Sequence, residues 1–195
     1  FCTKLFLEHI YLDGTDFFDY QEIEFAFEKL SLEPESIRMR LVLTMLGCVY
    51  HGKRKDIQLL KKWREKGFQA LVTLQNSPNF DEFEKNILTS RFYRAVSFYP
   101  FLIQDDETLR QEAEYCQSYA RSLTPQNEKQ NLLYKENLFP MLESVARIFS
   151  HLKEPKMYLA LMEEIVYKVD PHDAKAWIQV GEAREKNGYL EKALE

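Results

Sequence analysis

The sequence predicts an all-α protein in which helical hairpins stack as an α-solenoid. Three observations predict it. Apolar residues recur at intervals of three and four along nearly the whole chain, which lines them up on one face of a helix. Four prolines, Pro34, Pro78, Pro125 and Pro171, recur at intervals of 44, 47 and 46 residues, each in a polar junction ahead of a helical pattern. No alternating run bounded by turn residues suggests a strand. Asp13-Gly14 is the nearest hairpin signal, and it leads into an acidic helical pattern. A period of this length built from two helices marks a helical repeat, because one hairpin cannot bury its apolar face alone and stacking on neighbours buries it. An irregular bundle with coincidental prolines is the competing arrangement.

The elements follow in order. Two acidic helical segments, near 3–12 and 17–31, make up an N-terminal part, 1–33; Ile23, Phe27 and Leu30 share a face of the second. Pro34 then opens a pair at 34–51 and 55–74, broken near Gly52, with Ile37, Leu41, Met45 and Cys48 as its first stripe. The next pair, 80–98 and 105–123, is broken near Pro100 and carries Phe83, Ile87, Phe92 and Val96. The third, 127–152 and 155–169, is broken at Pro155; Leu138, Leu142, Val145, Phe149 and Leu152 form its stripe. The last pair, 173–187 and 189 onward, turns at Gly188. Proline has no N–H and a fixed φ, so it suits a helix start. The repeat boundaries are thus 34–77, 78–124 and 125–169, with 170–195 the start of a further unit.

Composition excludes several classes. Of 195 residues, 45% are hydrophobic and 29% charged, with only six glycines and seven prolines, which is neither collagen-like nor disordered. No uncharged apolar run approaches the length of a membrane span, and no basic segment followed by an apolar one suggests a signal peptide. The chain starts at Phe1 and stops at Leu194-Glu195 inside a helical pattern, so it reads as part of a longer protein. Cys2, Cys48 and Cys116 are odd in number and far apart. That argues for free thiols in a reducing compartment, the cytoplasm or secondarily the nucleus.

Residues 170–195 read DPHDAKAWIQVGEAREKNGYLEKALE. Trp177, Val180 and Gly181 have a Trp-x-x-Leu-Gly spacing, Gly188 lies at the turn, Ala193 is a small residue in the second helix, and Pro171 precedes the pair. Gly181 and Ala193 are small where two helices must approach, Trp177 and Val180 fill the space beside them, and Asn187-Gly188 permits a left-handed turn. This segment resembles the tetratricopeptide repeat, with Arg184 standing where the family usually has Tyr. A weaker echo, Leu46-Gly47 with Tyr50, Gly52 and Trp63, lies upstream, but Leu59 occupies its small position. The upstream pairs are therefore either degenerate repeats or another α-hairpin domain leading into the array.

The resemblance implies a protein-interaction scaffold that binds a peptide or partner helix in a groove lined by the first helix of each pair, without catalysis. Carried onto this repeat, the groove positions are Lys175, Ile178, Gln179, Glu182 and Glu185. Some family members clamp a peptide carboxylate with a Lys and an Asn; Ile178 and Glu182 hold those places here, so no clamp is expected. A regulatory domain that senses a peptide or small ligand is the second reading.

Charge is uneven. Residues 1–36 carry net −7, 37–66 net +7, and 67–195 net −5. The run HGKRKDIQLLKKWREK, 51–66, presents Lys53, Arg54, Lys55, Lys61, Lys62 and Arg64 as a basic patch. Ile57, Leu60 and Trp63 form its apolar stripe, with Lys55, Lys62 and Lys66 together on another side. The patch suits phosphates, hence a nucleic-acid-associated module as the third reading. It equally suits an acidic protein segment, or the acidic helices of 1–36. The acidic overall balance, −5, argues against nucleic acid.

Motifs for chemistry are lacking. Cys48 and His51 share a helical face, but two ligands do not make a zinc site. Asp105-Asp106-Glu107 is explained by the positive end of a helix dipole, and Glu163-Glu164 by a solvated face. No phosphate-cradling glycine loop or nucleophile elbow is present. No cofactor, metal or catalytic residue is therefore predicted.

Overall fold

A computed structural model describes residues 20–30 and 34–193. The segment near 3–12, residues 17–19 and 31 of the next segment, Cys2 and Asp13-Gly14 lie outside those residues. The described residues are all-helical, with no strand among them. None of their helices is long and apolar enough to cross a membrane. The chain divides into two compact units, Phe1–Phe80 and Asp81–Glu195.

The first unit holds α1 (Tyr20–Lys29), α2 (Pro34–Arg54) and α3 (Ile57–Asn76). Ile37, Leu41, Met45 and Cys48 of α2 are buried with Leu60, Trp63, Leu71 and Leu74 of α3. Phe27 of α1 joins them. Trp63 is wholly buried, and a Cβ added to Gly47 would stand 2.4 Å from its Cδ2. No real Cβ contact is that short, so glycine at position 47 is what lets α2 lie against the indole.

The second unit holds α4 (Glu82–Val96), α5 (Phe98–Ile103), α6 (Asp106–Arg121), α7 (Glu128–His151), α8 (Pro155–Glu164), α9 (Ala174–Lys186) and α10 (Leu190–Ala193), with a π-helical turn, Ile165–Val169, extending α8. Each helix packs on the next long one: α4 on α6, α6 on α7, α7 on α8, α8 on α9, α9 on α10. α4 also reaches α7. One core runs through these contacts, from Ala113 and Cys116 through Leu142, Val145 and Phe149 to Ile165, Val166 and Val180. Between α4 and α7 lies a polar seam. Asn137 donates from Nδ2 to Ser90 Oγ at 3.0 Å and accepts from Arg91 Nε at 2.8 Å, while Arg94 Nε donates to Ser144 Oγ at 2.8 Å.

The turn inside each hairpin is the same. Lys55, Gln104, Lys153 and Gly188 have φ of 58°, 58°, 59° and 81°. Around each, the following N–H reaches back five residues: Asp56 to His51 O, Asp105 to Pro100 O, Glu154 to Phe149 O and Tyr189 to Arg184 O, all at 2.9–3.0 Å. The left-handed residue donates to the carbonyl three before it. This is the Schellman closure. The residue after it begins the next helix: Asp56 and Asp105 are N-caps that accept from Leu59 N and Thr108 N at 3.1 Å. The left-handed positions are spaced 49, 49 and 35 residues apart.

Several expected breaks move as a result. Gly52 lies within α2, and the break falls at Lys55. Pro100 lies within α5, with the turn at Gln104. Pro78, Pro125 and Pro171 stand in loops two or three residues ahead of the N-caps Asp81, Asn127 and Asp173. The N-cap side chains, which satisfy first-turn N–H groups, start those helices; Pro34 and Pro155 are themselves the first helical residues. The α8 segment does not stay α-helical to Val169, because its last turn widens to a π turn.

A left-handed φ strains any side chain bearing a Cβ. Lys55→Gly, Gln104→Gly and Lys153→Gly are each expected to raise unfolding stability by roughly 0.5–1 kcal/mol, after allowing for the freer unfolded chain. Urea denaturation of the three variants checks this; unchanged or lower midpoints would refute it.

Candidate functional site: the α9 face and the basic helix

Asp173 caps α9, its carboxylate accepting from Lys175 N at 2.9 Å and Ala176 N at 3.1 Å. Ala176, Val180, Ala183 and Arg184 turn inward. Lys175, Ile178, Glu182 and Glu185 are exposed and Gln179 is half-buried. Ile178 is 64% exposed. An open cleft of about 460 Å³ lies beside it, lined by Trp177, Ile178, Val180, Gly181, Glu182, Arg184 and Ala193.

Trp177 is half-buried rather than a core residue. Its Nε1 donates to Pro171 O at 2.8 Å and its ring meets Tyr167 edge-on at 5.1 Å. Gly181 is not at a forced approach either: an added Cβ would lie 3.5 Å from Ala193 O, an ordinary contact. Gly188 holds the left-handed turn.

Arg184 is buried and donates from Nε to Glu163 Oε1 at 3.0 Å and from Nη2 to Tyr167 OH at 2.7 Å. Burial opposes its charge, but these two partners outweigh that and raise the guanidinium pKa. Glu163-Glu164 is therefore not a solvated face. Glu163 anchors Arg184, and Glu164 anchors Arg121 of α6 at 2.5 Å. Across from Glu182, burial first and then the Glu182 charge push the Tyr158 phenol pKa up. Spacing along one helix reveals neither Tyr158 and Tyr167 nor the role of Glu163, because nothing in it shows which side of α8 meets α9.

The basic residues are divided. Lys53 and Lys61 are exposed. The Arg54 guanidinium lies over the Tyr50 ring at 3.7 Å, and that of Arg64 over Phe68 at 4.8 Å. Lys55 sits in the left-handed turn, so it does not share a helix face with Lys62 and Lys66. Those two reach α1: Lys62 to Glu24 at 3.3 Å and Lys66 to Glu28 at 2.7 Å. Ile57 is exposed, so only Leu60 and Trp63 of the expected stripe are buried.

Asp105 accepts from Thr108 Oγ1 at 2.7 Å as well as from its N–H, which accounts for the acidic cluster as a cap. Cys48 and Cys116 are buried, and burial pushes the Cys116 thiol up to about 12. His51 is buried too, and desolvation, partly offset by Asp56, lowers its pKa. Among the described residues, no three His, Cys, Asp or Glu side chains converge as a metal site requires. No family model, no curated protein and no solved structure matches this chain.

Proposed function

We propose that the chain is a protein-interaction scaffold built of tetratricopeptide-like helical hairpins, which binds a peptide or partner helix and performs no chemistry. The observation that carries this reading is the fourfold recurrence of one hairpin closure at Lys55, Gln104, Lys153 and Gly188. Recurrence of a supersecondary unit is the mark of repeat architecture. Packing of each helix on its chain neighbour in the second unit supports it. The last interval, 35 residues, is close to the length of the family's repeat. The two described cysteines, buried and in one case held as a thiol, favour binding over nucleophilic chemistry.

The binding face on this reading includes Lys175, Ile178, Gln179, Glu182 and Glu185. Ile178, exposed amid charges, supplies an apolar contact of the kind that concentrates affinity. The test is selection of binders from a peptide library by the purified chain, then titration against variants. Ile178→Asp and Glu182→Lys are expected to weaken selected peptides by roughly 5- to 30-fold, the effect of a typical central contact. Peptides that bind every variant equally would place recognition elsewhere.

A further inference from the structure

In the first unit, α1 lies on the α2–α3 hairpin in the manner of a bound ligand. Phe27, 3% exposed, is its anchor. The ring meets Trp63 edge-on at 5.3 Å and has Arg40 at 4.3 Å and Lys66 at 4.5 Å from its centroid. Two carboxylates flank the anchor, Glu24 on Lys62 and Glu28 on Lys66. Arg40 Nη1 donates to Leu30 O at 2.6 Å and so holds the C-terminal end of the helix. An apolar anchor between cations, carboxylates one turn before and one residue after it, and a captured helix end together make up a recognition code.

The hold is weak for a core element. α1 has ten residues, too few to persist as an isolated helix in water. The Lys62–Glu24 pair is exposed and contributes little, and in the second pair Glu28 is exposed while Lys66 is half-buried. Phe25, beside the anchor, is 65% exposed. The charge balance, net −7 over 1–36 and net +7 over 37–66, is that of a ligand and its receptor.

We propose that the α2–α3 hairpin is a receptor for acidic amphipathic helices carrying a phenylalanine, occupied in this structure by α1, and that a partner protein's helix of that chemistry enters by displacing α1. This site is separate from the α9 face, and the proposal does not depend on that reading. It also gives the basic run at 51–66 a role, with Lys62 and Lys66 addressed to carboxylates.

The test uses the full chain and a fluorescent synthetic peptide of residues 20–30. In the Glu24→Lys/Glu28→Lys variant, the occupant in cis is repelled by Lys62 and Lys66, while both altered side chains are on the surface. A site blocked in cis shows an affinity reduced by the fraction of open molecules. The peptide is therefore expected to bind this variant at least ~10-fold tighter than the wild-type chain. Adding Lys62→Glu/Lys66→Glu re-forms the pairs with reversed sign and removes the gain. A peptide with alanine in place of Phe27 loses binding. Lys66, by hydrogen bond and charge, lowers the Glu28 pKa. The pairing then persists to lower pH than it would with an unshifted carboxylate, and is lost as pH falls through the lowered pKa. Equal affinity for wild type and double variant, or retained binding without the phenylalanine, would overturn the proposal. So would dimerisation of the chain by exchange of α1, or an oligonucleotide that binds where the peptide does not.

Discussion

Trp63→Ala is expected to lower the stability of the first unit by about 3–5 kcal/mol. The indole is wholly buried, touches Phe27 and fills the space in front of Gly47. Its removal leaves a cavity that two packed helices cannot close. The opposite change attacks the same contact from α2. Gly47→Ala sets a methyl carbon 2.4 Å from Cδ2 and 2.7 Å from Cε3 of a ring with no free side to move into. Overpacking of this kind costs about 1–3 kcal/mol. The two residues share one space, so their effects must couple. Gly47→Ala combined with Trp63→Leu is expected to cost less than the sum of the single changes. Urea denaturation followed by circular dichroism of Trp63→Ala, Gly47→Ala, Trp63→Leu and the Gly47→Ala/Trp63→Leu double variant measures these costs. Additive effects would show that Gly47 does not meet the indole.

Asn137→Ala is expected to cost about 2–4 kcal/mol, combining a lost buried hydrogen-bond centre with a small cavity. Asn137 has no exposed surface, yet it carries the seam between α4 and α7 through Ser90 and Arg91. Without it, the half-buried Arg91 loses its acceptor. Ser90→Ala is the milder change, about 1 kcal/mol, since its hydroxyl otherwise turns back to Ile87 O at 2.9 Å. The same denaturation experiment separates the two. Equal losses would mean that the serine, not the amide, organises the seam.

The helices were legible because their signal is local. Leu138, Leu142, Val145 and Phe149 fall on one face by spacing alone, and all four are buried. The acidic cluster at Asp105 was legible as the mark of a helix start, and there Asp105 satisfies an N–H three residues away. On the candidate face, Ile178 and Glu182 were named from the resemblance and do lie on the exposed side of α9.

The hairpin breaks fall within a few residues of the expected ones, but the left-handed residue that closes three of them carries no signature in the sequence. Glycine announces a left-handed turn at Gly188, but Lys55, Gln104 and Lys153 adopt the same conformation with no such signature. The 49-residue interval between them is therefore absent from the pattern of residue types. α2 runs past Gly52 to Arg54.

Periodicity, capping chemistry and the opposed charges of 1–36 and 37–66 belong to the chain read residue by residue, since each depends on neighbours within a turn or on simple sums. The partners belong to the fold. Glu163 finds Arg184, Glu164 finds Arg121, Glu28 finds Lys66, and Gly47 finds Trp63 only when separate helices meet. Spacing along one helix says which side chains share a face. It carries no information on what that face will touch, because that is set by the burial of all the apolar stripes at once.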